Sequence, residues 1–266
     1  MIAWLGRSAW RVLLVLIFAF LPAPIVVVVL SSFSPTGYLT FPPKGISLRW
    51  YEEFLSSGDW LHALAISAVL AVAVAVVTTA LGFMAGLATS RVKFPGRGAF
   101  GLLMLSPLLF PHAAIAVALL GILSWRNAVG TYQGIFLAHA ILCMPFAYRP
   151  LLNSMRKLDL AMEEAAMMLG ATPSQIFRLV TLPLLKPGLV TALLFSFIIS
   201  FDEVTVTAFL LGPHVTTLPT RIFSFVQESA SPVIAAISTF LVIFTLLIVV
   251  LLDRLVGIEL FVETER

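Results

Sequence analysis

Residues Asp159–Pro183 read DLAMEEAAMMLGATPSQIFRLVTLP, the longest polar interruption in the second half of a chain otherwise written in apolar runs. The stretch predicts two short helices with a tight joint. Asp159 is placed to cap the first, and Glu163 and Glu164 lie in its opening turns, where carboxylates favour the positive end of a helix dipole. Ala165, Ala166, Met167, Met168 and Leu169 are strong helix formers, and Gly170 supplies the stop. Thr172 then caps a second helix, with Pro173 at its first position and Gln175 three residues after the cap. Ile176, Phe177, Leu179 and Val180 give that helix apolar surface, and Pro183 is expected to help end it. From pattern alone this is a helical hairpin that could be a loop between membrane spans or a DNA reader.

The wording of the hairpin narrows the choice. Glu164-Ala165-Ala166, three residues, Gly170, nine residues, then Val180-Thr181-Leu182-Pro183 resembles the EAA motif of ABC-importer permeases, whose usual ending is Ile-x-Leu-Pro. The resemblance implies that this loop is a coupling helix docking into a groove of an ATPase subunit, with Glu163, Glu164, Ala165, Ala166, Gly170, Leu182 and Pro183 as the coupling residues.

Composition agrees with a membrane setting. The chain is 60% hydrophobic and 11% charged, with mean hydropathy +1.06, whereas a soluble domain carries about a quarter charged residues. The single cysteine, Cys143, excludes an internal disulfide and a thiolate metal cluster built from this chain alone, and in its apolar run it reads as a buried small hydrophobe.

Six predominantly apolar stretches are each long enough for a span of about 20 residues. The first runs from about Val12 to Phe33 and is read as an uncleaved span, its apolar run being too long for a signal peptide. Ser34–Asp59 is a loop with a short interfacial helix expected near Leu48–Leu55. The second span covers roughly Leu61–Ser90, where Gly82 and Gly86 form a GxxxG pair that permits close helix approach. The third, Gly98–Trp125, holds Pro107 and Pro111 and is expected to be kinked. The fourth runs from Thr131 through Tyr148 towards Asn153, the fifth from Pro187 to Leu211, the sixth from Pro232 to Leu252. Residues 1–59 therefore form a first helix and periplasmic loop, 60–252 a core transmembrane domain and 253–266 a cytoplasmic tail.

Cations orient the spans. With both termini inside, Arg7, Arg11, Arg91, Lys93, Arg97, Arg149, Arg156, Lys157, Arg178, Lys186, Arg254 and Arg266 are cytoplasmic. Lys44, Arg49, Arg126 and Arg221 are then outside. Twelve plus four accounts for all 16 Lys and Arg residues, and the asymmetry obeys the positive-inside rule. The Asp159–Pro183 hairpin falls on the cytoplasmic side.

Nothing reads as a catalytic site. There is no GxxxxGK[ST] phosphate loop, no HExxH, and His62, His112, His139 and His214 are scattered. The informative polar pair is Asp202 and Glu203, about 24 Å along a helix from Lys186 at 1.5 Å per residue. A carboxylate at that depth is expensive unless paired or in water. Ser196, Ser200, Glu203 and Thr207 recur at spacings of four, three and four, predicting one polar stripe on a helix face with Asp202 beside it. Two readings stay open: a buried ion pair with Asp202 directed laterally to a structural partner, or a cation-accepting wall of a translocation pathway led by Glu203.

Phe201-Asp202-Glu203-Val204, Leu211-Gly212-Pro213 and Thr217-Leu218-Pro219 resemble the same region of spermidine and putrescine permeases. The chain is therefore read as an all-α polytopic membrane protein, a six-span permease subunit of the type I ABC-importer kind in a bacterial cytoplasmic membrane. The resemblance implies a second permease subunit, two ATP-binding subunits and a periplasmic binding protein as partners, lipid as solvent, and no nucleic acid. It implies no cofactor in this chain, ATP and Mg being bound by the partner ATPase. A polyamine is the expected cargo. An amino acid or other small solute carried by the same architecture, and an ATPase-independent transporter or channel, are the alternatives.

Overall fold

The computed structural model describes residues 2–212, 215–229 and 231–256, with side chains described for residues 10–212, 215–229, 231–248, 250 and 254. The helices are α1 (Ile2–Phe20), α2 (Ala23–Ser31), α3 (Arg49–Ser56), α4 (Gly58–Arg91), α5 (Arg97–Leu105), α6 (His112–Trp125) and α7 (Tyr132–Lys157). They continue with α8 (Leu160–Met168), α9 (Pro173–Ile176), α10 (Leu182–Phe201), α11 (Thr205–Leu210), α12 (Leu218–Glu228) and α13 (Val233–Val256). Among the described residues there is no strand, only an isolated bridge between Gly212 and Val215. The all-α class read from the sequence is the class observed. Among the described residues four stretches are long and apolar enough to cross a bilayer: Trp10–Ser31, Gly58–Arg91, Tyr132–Lys157 and Pro173–Phe201. The α5–α6 pair adds a fifth if it is one span, and Val233–Ile248 is a shorter apolar helix where the sixth is expected.

The chain divides into two units. Residues 62–223 form the larger one, organised on α7. Most of α7's apolar face is buried, from Ile135, Ala138 and Leu142 near its start to Leu151 and Met155 near its end. Against its C-terminal half lie Leu185 and Ala192 of α10. Against its N-terminal half lie Leu119 and Leu123 of α6 and Val206 and Leu210 of α11. The GxxxG pair of α4 also faces α7. A carbon placed on Gly82 would come within 3.1 Å of the Ala147 carbonyl carbon and the Tyr148 amide nitrogen, and one on Gly86 within 2.9 Å of Met155 Sδ. The small residues thus set the distance between two helices. Beside them the Tyr148 hydroxyl donates to Thr89 Oγ1 at 3.0 Å, and Thr89 passes its own proton to Ala85 O at 2.8 Å.

Three breaks depart from the sequence expectation of simple spans. The Gly98–Trp125 stretch is a turn rather than a kinked rod: α5 runs into a 3₁₀ turn at Ser106–Leu109, and α5 and α6 are bent by 107°. Pro111 explains the sharpness, because a residue before proline is driven out of the helical region, and Phe110 is extended at φ −114, ψ 143. The second break is at Pro183, which was expected to end a helix and to precede a span starting at Pro187. Instead the helix continues from Pro173 to Phe201. Phe177–Thr181 is a π-helical segment, and the Leu182 amide bonds to Phe177 O. The shifted ladder absorbs the donor that Pro183 lacks. The third break is at Asp202–Val204, where α10 stops and α11 begins, so the expected fifth span to Leu211 is interrupted.

The other unit comprises residues 1–61 and 224–255. The expected first span to Phe33 ends at Ser31 and is broken at Leu21–Pro22, where proline starts α2. The interfacial helix expected at Leu48–Leu55 is α3. Its Trp50 indole donates to Ser34 O at 2.7 Å, and Tyr51 shares a 2.6 Å hydroxyl contact with Ser32. Phe54 packs on Phe240 and Trp60 on Phe225.

The Gly82 contact is with backbone and the Gly86 contact with a flexible side-chain end, which orders their sensitivities. Gly82→Val should destabilise the subunit by about 1–3 kcal/mol through overpacking, seen as a lower unfolding temperature in detergent. Gly86→Ala should be milder because Met155 can move. The opposite order would contradict the close α4–α7 approach.

Candidate functional site

The hairpin after α7 is built as its residues dictate. Asp159 caps α8 by accepting the Ala161 amide at 3.0 Å. Gly170 takes φ +83, a left-handed conformation that ends the helix and that a β-branched residue would resist. Thr172 and Gln175 form a reciprocal capping box with Pro173 at the first helical position. No residue of α8 is buried. Its end presents Met167, Met168 and Leu169 at 61, 87 and 88% exposure. Three adjacent large apolar side chains at the end of a capped hairpin form an exposed apolar patch rather than a packed core.

The sequence grouped Glu163, Glu164, Ala165, Ala166, Gly170, Leu182 and Pro183. The structure divides them. Glu164, Ala165 and Gly170 are exposed with the apolar tip, and Ala166 is half-buried. Leu182 and Pro183 lie at the root of the hairpin, in the first turn of α10. Glu163 turns inward to Arg91, the last residue of α4: Arg91 Nη1 donates to Oε2 at 2.8 Å and Nη2 to Oε1 at 2.7 Å. Thr181 Oγ1 donates to the same Oε1 at 2.7 Å. The Arg91 hydrogen bonds hold the Glu163 carboxyl below the usual carboxylate range, partial desolvation opposes this, and the Thr181 bond adds to the lowering. A lowered carboxylate value means the tie is whole above the ordinary range and lost only as pH falls through the depressed value. At neutral pH it is made.

The second place is the break after α10. The sequence placed Ser196, Ser200, Glu203 and Thr207 on one continuous helix face. The helix is not continuous, yet Ser200 and Thr207 meet through a residue the sequence left aside. His139 of α7 is 1% exposed, with Nδ1 2.9 Å from Ser200 Oγ and Nε2 2.7 Å from Thr207 Oγ1. Its ring bridges the two sides of the break. Glu203 is buried, its Oε1 accepting the Val206 amide at 2.8 Å and its Oε2 lying 3.0 Å from His112 Nδ1 of α6. Thr207 Oγ1 donates to Glu203 O at 2.9 Å. Ser196 is fully buried, with its carbonyl accepting from Cys143 Sγ at 3.4 Å and its hydroxyl unpartnered among the described residues. Asp202 is the exposed carboxylate. In this geometry Glu203 is tied into the fold, and Asp202 is accessible. No local pattern could have flagged His139, because its partners lie 61 and 68 residues away. His214 and Pro213 lie outside the described residues.

The family described as "Binding-protein-dependent transport system inner membrane component" matches residues 78–258. The chain belongs to that family. Among relatives of this permease family, the chain is 34% identical over 242 residues to the putrescine transport system permease protein PotI of Escherichia coli (strain K12), covering 88% of this chain and 85% of that protein. It is 32% identical over 236 residues to the spermidine/putrescine transport system permease protein PotC of Haemophilus influenzae, covering 88% and 91%. The trehalose transport system permease protein SugB of Mycobacterium tuberculosis is 28% identical over 224 residues, covering 83% and 82%. In three dimensions the permease resembles a chain of a bacterial ABC transporter that imports alginate, with TM-score 0.68, 21% identity and coverage of 93% and 96%. The alginate transporter in complex with its pentasaccharide-bound periplasmic protein gives TM-score 0.71 at 16% identity, covering 99% and 96%. The chain is thus an inner-membrane transport component of a binding-protein-dependent system, and not an enzyme in its own right.

The environments of the two carboxylates make opposite demands. Glu203→Ala removes a buried acceptor and should cost about 1–3 kcal/mol, read as reduced thermal stability in detergent. Asp202→Asn should leave stability within about 0.5 kcal/mol, as surface changes do. Equal destabilisation by both would overturn the assignment of Glu203 to the fold.

Proposed function

We propose that this permease is one membrane half of an ATP-driven importer whose cargo is a polyamine or similar organic cation. The observation that carries the reading is the pair of relatives at 34% and 32% identity over 88% of this chain, both named for putrescine or spermidine transport. An exposed carboxylate at Asp202, 16 residues beyond Lys186, supports it, since a cation in transit needs a reversible anionic partner inside the membrane. Phe201 and Phe209 lie close in sequence and add aromatic faces for ammonium groups.

In this reading both termini are cytoplasmic, on the cationic asymmetry of the loops. Two ATP-binding subunits, which hold ATP and Mg, dock on the hairpins of this permease and of a second permease subunit. A periplasmic binding protein loads the cavity between the two permeases. Closure of the ATPases rocks the spans and exposes the cavity alternately to each side. Within this chain, the apolar tip Met167-Met168-Leu169 and the small residues Ala165 and Gly170 form the docking element. Ser196, Ser200 and Thr207 line or support the pathway beside Asp202, and Glu203 keeps that wall in shape.

Reconstitution with the cognate partners in proteoliposomes tests the cargo. Labelled putrescine or spermidine should accumulate on ATP addition and trehalose should not. Asp202→Asn should lower polyamine uptake at least tenfold at unchanged subunit recovery. Uptake of a neutral sugar in preference to the polyamine would overturn the cation reading. Orientation is tested separately in whole cells: an impermeant thiol reagent should label Gly37→Cys and Ser229→Cys but spare Ser174→Cys. Labelling of the last would place the hairpin outside.

A further inference from the structure

The Glu163 carboxylate collects three elements at one point. Its own helix, α8, is the docking element; Arg91 is the last residue of α4; Thr181 closes the π-helical segment that feeds α10. The guanidinium is engaged through both terminal nitrogens, at 2.8 and 2.7 Å, which fixes direction as well as distance. The side chains of Arg91 and Glu163 are 28 and 18% exposed, so the pair is only partly open to solvent.

This arrangement matters because α8 is not anchored by a buried core. It buries none of its residues, so apolar packing does not lock it to the spans. The chain joins the hairpin to α7 at one end and to α10 at the other. The pair adds an attachment to a third helix, α4, from a distant part of the sequence, 72 residues away. The stems it joins are stiff relative to one another: α4 is seated on α7 through Gly82 and Gly86, and α10 packs along α7 through Leu185 and Ala192. Between them lies the π-helical segment Phe177–Thr181, whose extra residue per turn allows the hydrogen-bond ladder to shift. Thr181 is 5% exposed and ties this segment to the same carboxylate.

We propose that Glu163 is a positioning residue for energy coupling, holding α8, the end of α4 and the π-helical root of α10 as one unit so that displacement of the hairpin tip moves both spans together. The idea rests on the reading of α8 as the ATPase-facing element. It assigns Glu163 a role inside this chain, where the sequence had grouped it with the docking contacts. Loss of the tie lets the hairpin move without the spans, so that hydrolysis and transport part company.

The test uses the full importer in proteoliposomes, with uptake and ATP hydrolysis measured together. Glu163→Gln and Arg91→Gln should each lower solute moved per ATP at least tenfold while hydrolysis continues and the ATP-binding subunits copurify. The exchanged pair Arg91→Glu with Glu163→Arg should recover to within about threefold of the unaltered protein. Thr181→Val, close in shape and lacking the hydroxyl, should lower the ratio about threefold and serves where a charge variant fails to assemble. An unchanged ratio in Glu163→Gln or, should that variant not assemble, in Thr181→Val overturns the proposal. So does loss of ATP-binding subunits in both single charge variants without recovery in the exchanged pair. If the unaltered protein retains no ATP-binding subunit, the reading of α8 itself fails, which is a different result from the one that overturns the tie.

Discussion

Hydrocarbon offers no hydrogen-bond partner, so a membrane helix can be interrupted only where the protein itself satisfies what the interruption exposes. That constraint organises this structure. The break at Asp202–Val204 is held by His139, which reaches Ser200 on one side and Thr207 on the other, and by Glu203, which accepts the Val206 amide. Removing one partner would leave the others buried and unpaired, a cost of about 1–3 kcal/mol for each neutral group. The carboxylate that most resembles a pathway residue in the sequence is thereby committed to the fold. Its neighbour Asp202 stays available because the helix ends just there.

The same constraint is met differently at the root of the hairpin. Pro183 would cost a continuous α-helix one donor and a steric clash, yet the chain runs through it. A π-helical turn shifts the ladder ahead of the proline, and Thr181, at its end, reaches outward to Glu163. A local defect thus becomes an attachment point. The exposed end of the hairpin shows the opposite economy, with Met167, Met168 and Leu169 left in solvent and capped by Gly170. Among the described residues these side chains stay exposed, and a protein partner of the kind proposed would cover them.

What could be read in the sequence was what local chemistry decides. The caps at Asp159 and Thr172, the stop at Gly170 and the GxxxG approach of Gly82 and Gly86 all follow from neighbours within a few residues, and each has its expected geometry. The 3.6-residue periodicity also found Ser196, Ser200, Glu203 and Thr207. It could not show that the helix breaks among them, because the groups that make the break tolerable come from α6 and α7. Pro111 acts in the other direction: a proline in an apolar run predicts a kink, whereas the extended Phe110 before it turns the run by 107°. In the sequence Arg91 is only a cytoplasmic charge, since nothing near it points to Glu163.

The central claim is that α8 is the face through which this permease is driven. A photoreactive amino acid placed at Met168, 87% exposed, and another at Leu246 of α13, 59% exposed, would test it in cells expressing the whole importer. On illumination, position 168 should form a covalent adduct with an ATP-binding subunit, and position 246 should not. An adduct between position 168 and lipid alone, with no ATP-binding subunit recovered, would contradict the account.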